Sequence, residues 1–245
     1  MCNPHASHSK RENDVDGLAE KAVNARVNSA WGVLFDWDGV VIDSSSQHER
    51  AWELIAAERG LLLPPDHFKK GFGKKNEVII PELGWATSAD AVKELADRKE
   101  SIYRELVAKE GVIVLPGARE LLRALKESGI PRAVGSSTPK ENLEALFAAT
   151  GLREYFTEVV CGSDVLHGKP DPEVFLTGAK LLGIHPSRCI VIEDAFAGIE
   201  AARRGGMKVV GVATTNPIES LSGCDLAVAS MEEITPLALK GLLAS

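Results

Sequence analysis

The stretch VLFDWDGVVIDS, Val33 to Ser44, sets Asp36 and Asp38 directly after an apolar run; a glycine, a second apolar run and Asp43 follow. Another acidic pair, Glu193 and Asp194, ends the run CIVIED. A third run, AVGSSTP, ends in the hydroxyls of Ser136, Ser137 and Thr138, and the segment HGKPDP supplies Lys169. Carboxylates crowded together shift one another's pKa unless a cation lies among them. Hard oxygen donors at a site that also takes phosphate suit Mg²⁺, which is held by one or two carboxylates, waters and substrate oxygens. A carboxylate can attack phosphorus and carry the phosphoryl group covalently. A lysine and a serine can hold the phosphoryl oxygens. A second carboxyl two residues on can protonate the leaving oxygen and later deprotonate water. A purely structural role for Asp36, Asp38, Lys169 and Asp194 is hard to sustain, because acids crowded at a strand end are costly without a cation.

These groups need elements that bring them together. From Trp31 onward, short Val/Ile-rich runs alternate with amphipathic segments. GVLF, PRAVGS, EVVCG, CIVIED, KVVGV and DLAVAS read as strands. GARELLRALKESG, KENLEALFAATG, DPEVFLTGAKLLG and AFAGIEAARRGG read as helices, and EEITPLALKGLLA as a last one. Pro172 near the start and Gly183 past the end of one helix follow the usual asymmetry. Continuous apolar strands followed by helices predict a parallel α/β sheet covered on both faces. Ligands then bind beyond the carboxyl ends of the strands, where these acids and hydroxyls fall.

Between about Ser45 and Gly111 the alternation stops and the pattern is helical, with Ser88 placed to cap the last helix. The sequence thus predicts a Rossmann-like parallel-sheet core from residues 30–44 and 112–245, with a helical-bundle cap inserted over 45–111. The joints are expected near Asp43–Ser46 and Val112–Pro116, with Asp43 organising the hinge. A lobe beside the end of a sheet is well placed to act as a lid. Residues 1–29 are expected to be a polar, mobile tail, with His5 and His8 solvated rather than metal-binding.

The composition of the 245-residue chain narrows the function. A net charge of −7 argues against a nucleic-acid-binding surface. No apolar run is long enough to span a bilayer, so no membrane association is expected. The four cysteines, Cys2, Cys161, Cys189 and Cys224, lack metal-site spacing and are too few for a disulfide framework. This places the protein in a reducing cytoplasm, and nothing in the sequence demands more than a monomer.

From Trp31 to the end the chain resembles the haloacid dehalogenase superfamily, in the branch with a helical cap after the first strand. FDWDGVVIDS looks like its opening motif, GSSTP its second, GKPDP its third and VIEDAFAGIEAA its fourth. The resemblance implies a Mg²⁺-dependent enzyme acting on a small phosphorylated metabolite. In it Asp36 is the nucleophile and Asp38 the general acid and base. Ser136, Ser137 and Lys169 hold the phosphoryl group, and Gly39 lets the backbone approach it. Mg²⁺ is held by Asp36, the main-chain carbonyl of Asp38, and Asp194, with Glu193 as ligand or supporting group. A chloride-displacing dehalogenase is not expected, since those relatives lack the second aspartate.

The cap is similar to that of β-phosphoglucomutase and related sugar phosphatases. DSSSQHERAW puts His48 and Trp52 where those proteins carry a His and a Trp, and ELADRKESIY puts Lys99 where a lysine reaches the site. In KKGFGKKNE, Lys74 with Lys75 stands where the mutase holds a distal phosphate with arginine. Lysine is a point charge rather than a bidentate fork. That departure favours hydrolysis over mutation. Each cap residue also has a plainer reading. Lys99 lies on a heavily charged, outwardly solvated-looking helix, the loop lysines can serve solubility, and Trp52 can be lid core.

Overall fold

The computed structural model describes residues 31–71 and 75–244. The chain begins with β1 (Gly32–Phe35) and the short β2 (Ile42–Asp43). Four helices follow: α1 (Ser45–Arg59), α2 (His67–Gly71), α3 (Asn76–Glu82) and the long α4 (Ala89–Glu110). After β3 (Ile113–Val114) comes an alternation: α5 (Ala118–Glu127), β4 (Arg132–Gly135), α6 (Lys140–Thr150), β5 (Glu158–Val160), α7 (Glu173–Leu182), β6 (Cys189–Glu193), α8 (Phe196–Arg204), β7 (Lys208–Val212), β8 (Leu226–Val228) and α9 (Pro236–Leu242). The expected tail falls on residues outside those described.

Six strands form one parallel sheet in the order β5-β4-β1-β6-β7-β8. The alternation of side chains along each strand divides the core in two. Val33 and Phe35 face a cluster with Val134, Ile192, Leu122 and Leu146, while Leu34 faces the other side with Val191, Phe175 and Ile199. The first cluster runs on without a break into Ile55, Ile80, Leu95 and Tyr103 of the helical segment. The helical segment therefore packs as an extension of the sheet's own core.

Local signals explain the helix ends. The Ser88 side chain accepts from the Ala91 amide at 3.4 Å and caps α4. Pro172 stands at the N-cap of α7, and Gly183 closes it in the left-handed region. The last helix is shorter than its apolar pattern suggests. Residues Met231–Glu233 make a 3₁₀ turn, and α9 starts only at Pro236, whose ring suits a first turn and not an interior.

The strand pair β2–β3 is a feature the sequence pattern did not show. Ile42 lies opposite Val114 and Asp43 opposite Ile113, antiparallel, and the Leu115 amide donates to the Val41 carbonyl at 3.0 Å. The chain enters and leaves the helical segment through neighbouring strands. Asp43 fixes the first of these crossings: its carboxylate accepts from the Ser45 amide at 3.0 Å, ordering the first turn of α1. No described helix is long and apolar enough to cross a membrane.

Candidate active site

Sheet register assembles the site. Phe35 pairs with Val134 on one side and Ile192 on the other, so the residues that follow, Asp36, Gly135 and Glu193, end level with one another. The Asp36 amide continues the ladder to the Ile192 carbonyl at 3.0 Å, and the Ser136 amide to that of Val160 at 3.0 Å. Asp36, Ser136, Glu193 and Asp194 are all buried at these strand ends.

Lys169 comes from the loop before α7 and joins two of the acids. Its Nζ donates to Asp36 Oδ1 at 2.5 Å and to Glu193 Oε1 at 2.7 Å. The other Glu193 oxygen accepts the amides of Asp194 and Ala195, both at 2.8 Å. Glu193 is thus bonded at both oxygens, and it fixes Lys169. Asp38 accepts from the Ser44 hydroxyl and from Thr138 Oγ1 at 2.6 Å. Ser136 Oγ accepts the Thr138 amide at 3.0 Å, while Ser137 is exposed on the cavity wall. The Asp194 carboxylate accepts from the Thr215 hydroxyl, and its carbonyl from Asn216 Nδ2 at 3.0 Å.

Two glycines are dictated by this packing. Gly39 has φ +84°, and a Cβ there would stand 2.1 Å from Asp194 Oδ2. A Cβ at Gly198, in the first turn of α8, would stand 1.6 Å from Glu193 Oε1. Both positions bring backbone against a carboxylate that the site needs.

Burial governs the electrostatics. It pushes the Asp36 carboxyl up to about 7, with Lys169 opposing and Glu193 and Asp38 adding to the rise. Burial, then Glu193 and Asp36, push Asp194 up to about 8. Burial also raises Asp38, against the hydrogen bonds from Ser44 and Thr138. For Lys169, burial works against the charge, but Asp36 and Glu193 outweigh it and keep the ammonium protonated. Carboxylate oxygens of Asp36, Glu193 and Asp194 lie within 4.8 Å of one another. Several buried acids with one ammonium among them, all hard oxygen donors, fit a small divalent cation such as Mg²⁺.

A cavity of about 480 Å³ joins these strand ends to the helical segment. It is lined by Asp36, Asp38, Ser136 and Lys169 on one side and by His48 and Lys99 on the other. Lys99 is 2% exposed, so the reading of its helix face as solvated is corrected: the ammonium points inward. It lies 2.8 Å from His48 Nδ1 and donates to Glu100 Oε1 at 2.9 Å. His48 stacks on Tyr103 with centroids 4.0 Å apart. Burial, then the neighbouring Lys99, hold His48 neutral, down to about 3. Trp52 packs against Trp85 in the core of the helical segment and also forms part of the cavity wall. Lys75 lines the cavity beside Gly168. Lys74 lies outside the described residues.

Several partners were not singled out by sequence. Ser44 and Thr138 were visible as hydroxyls near the motifs, and only the fold assigns both to Asp38. Thr215 and Asn216 follow β7, the next strand end in the sheet, and that position was the available signal. Glu100 and Asn142 meet across 42 residues of sequence, with Asn142 Nδ2 donating to Glu100 Oε2 at 2.5 Å.

With this geometry in hand, a family model described as haloacid dehalogenase-like hydrolase matches residues 32–206. The chain is 38% identical over 222 residues to the chloroplastic 5-amino-6-(5-phospho-D-ribitylamino)uracil phosphatase of Arabidopsis thaliana, covering 89% of this chain but only 59% of that relative. It is 36% identical over 207 residues to hexitol phosphatase A of Escherichia coli (strain K12), covering 83% and 93%. Among solved structures, β-phosphoglucomutase from Clostridium difficile superposes with a TM-score of 0.76 at 27% identity, covering 88% and 97%.

Proposed function

The chain belongs to the haloacid dehalogenase-like hydrolases, and on that premise we propose that it is a Mg²⁺-dependent phosphatase of a small phosphorylated metabolite, a sugar phosphate or similar phosphomonoester. The observation that carries this reading is Lys169 bonded to both Asp36 and Glu193 at one end of a cavity that also presents Asp38 and Ser136. The names of the two phosphatase relatives support it.

In this reading Asp36 attacks phosphorus and becomes an aspartyl-phosphate. Asp38, raised by burial and oriented by Ser44 and Thr138, gives its proton to the leaving oxygen. It then takes a proton from the water that hydrolyses the intermediate. Lys169 and the Ser136 hydroxyl hold the phosphoryl oxygens, and Glu193 keeps Lys169 in place. Asp36, Asp194 and the main-chain carbonyl of Asp38 would hold Mg²⁺, which supplies positive charge for the phosphoryl oxygens and relieves the repulsion among the acids. Residues 45–111 act as a cap over a core of 30–44 and 112–245, with the β2–β3 pair as hinge. Free thiols at Cys161, Cys189 and Cys224 suit a reducing cytoplasm, and the protein works as a monomer.

The likeness to a β-phosphoglucomutase supports a second reading, in which a sugar hydroxyl replaces water. One experiment separates the two. Purified protein with Mg²⁺ is assayed against a panel of phosphomonoesters, including β-glucose 1-phosphate with and without a trace of glucose 1,6-bisphosphate. Free phosphate from one compound well above the rest is the expected result. Glucose 6-phosphate formed only under bisphosphate priming, with little free phosphate, overturns the phosphatase in favour of the mutase.

A further inference from the structure

Glu100 sits at the centre of the polar network in the roof of the cavity, and nothing in the proposed chemistry requires it. It lies on α4, and its side chain is 12% exposed. Its Oε1 accepts from Lys99 Nζ at 2.9 Å and from Asn76 Nδ2 at 2.7 Å. Its Oε2 accepts from Asn142 Nδ2 at 2.5 Å. Asn142 is fully buried on α6, and its Oδ1 accepts in turn from Arg104 at 2.9 Å. This carboxylate therefore has three donors from three elements. Burial pushes this carboxyl up, but the neighbouring Lys99 charge and the hydrogen bonds from Asn76 and Lys99 outweigh it and hold it down to about 2.

The consequence falls on Lys99. A lone ammonium in a buried roof facing a phosphatase centre would attract any second anion on the substrate. Here a fixed carboxylate lies against that ammonium, and the His48 ring on its other side is neutral. Burial works against the Lys99 charge and Glu100 is the main influence that supports it, so at 2.9 Å the two form an ion pair whose opposite charges offset one another. It offers donors and acceptors suited to hydroxyl groups, and its carboxylate repels a distal phosphate.

We propose that Glu100 is a specificity-determining residue that restricts the site to substrates with one phosphoryl group and an uncharged, hydroxyl-bearing remainder, by neutralising Lys99. This deepens the phosphatase reading and rests on it. The Glu100–Asn142 bond also holds the roof to α6, so a merely structural role must be told apart from a selective one. A loosened roof weakens all ligands alike. An uncovered ammonium favours those with a second phosphate.

The test uses the full chain with Mg²⁺, in an Asp36→Asn background that prevents turnover. Sorbitol 6-phosphate and fructose 1,6-bisphosphate are titrated calorimetrically into this parent, into Glu100→Gln and into Lys99→Met/Glu100→Gln. Glu100→Gln keeps the shape of the side chain, and Glu100→Asn serves as a second variant in case the first folds poorly. The expected result is a shift of the affinity ratio toward the bisphosphate by on the order of tenfold or more in Glu100→Gln, lost again in the double variant. An unchanged ratio, or a gain that survives removal of Lys99, overturns the proposal. Phosphate release by the unmodified protein is measured separately. Its absence overturns the phosphatase reading, while the binding ratios still decide the role of Glu100.

Discussion

Gly198→Ala tests how tightly the helix after β6 is fitted to the site. In an unconstrained helix this change stabilises by about 0.5 to 1 kcal/mol. Here the new Cβ would stand 1.6 Å from Glu193 Oε1 and 2.0 Å from its Cδ. The carboxylate would have to retreat by about 2 Å to reach ordinary contact. It has no slack, being 1% exposed and bonded at one oxygen to Lys169 and at the other to two amides. Loss of the charge-assisted bond to Lys169 costs about 1.5 to 3 kcal/mol. Overpacking adds about 1 to 3 kcal/mol. Set against the helix gain, the net expectation is a destabilisation of about 1.5 to 5.5 kcal/mol. Because Glu193 fixes Lys169, and Lys169 would meet the phosphoryl group, kcat should fall by about 100-fold, the effect of displacing a positioning group by roughly an ångström. Urea denaturation and steady-state kinetics on the best substrate of the panel measure the two effects. Gly241→Ala in α9, where a Cβ meets nothing within 4 Å, is the control and should be neutral or slightly stabilising. A stabilised Gly198→Ala protein with unchanged kcat would refute the claim that Glu193 is immobile and that its placement of Lys169 matters.

Asp38→Ala should lower kcat by about 100- to 10,000-fold while leaving the thermal midpoint and Mg²⁺ binding nearly unchanged, as general acid and base loss does; turnover at the parent's rate would remove Asp38 from that role. Metal removal should depend on pH. In the metal-free protein Asp36 and Asp194 are raised to about 7 and about 8. The stability they contribute is present below their ordinary value near 3.8 and lost as pH rises through those values. The rise in midpoint on replacing EDTA with Mg²⁺ should therefore be larger at about pH 9 than at about pH 6, and an equal rise at both counts against carboxylates as the ligands. His48 is held neutral down to about 3 from an ordinary 6.5, so the unfolded chain takes up a proton in that window that the folded protein refuses, and stability drops as pH falls through it. His48→Gln should flatten this acid-side slope in a series of denaturation curves.

Most of the sheet and the acids at its strand ends could be read from the sequence, because both are written in short-range pattern. Val33 to Phe35 and Cys189 to Ile192 are unbroken apolar runs, as buried parallel strands are. The acids that follow lie where such strands must end. The pair β2–β3 was illegible for the opposite reason: with two residues in each strand there is no period to detect, and only its partner Asp43, 70 residues away in sequence, makes Ile113 a strand residue. Lys99 could be read two ways, as a residue reaching the site or as part of a solvated charged face, because α4 carries many charges besides its buried apolar face; the direction in which its ammonium points is set by His48 from α1 and by Glu100 beside it. The Asn142 contact to Glu100 carries no local signal at all, since an asparagine in an amphipathic helix reads as an exposed polar residue until the cap lies over it.

The neighbouring placement of Ile42–Asp43 and Ile113–Val114 bears on how such proteins diversify. A chain that departs from a sheet and returns beside its point of departure can exchange everything in between for another segment, long or short, without disturbing the strand order that aligns Asp36 with Glu193. If the proposed division of labour holds, chemistry and selectivity are then separately heritable: mutation can rework the helical segment over many generations while the strand ends keep their arrangement. The short β2–β3 ladder is the seam along which that division of descent is cut.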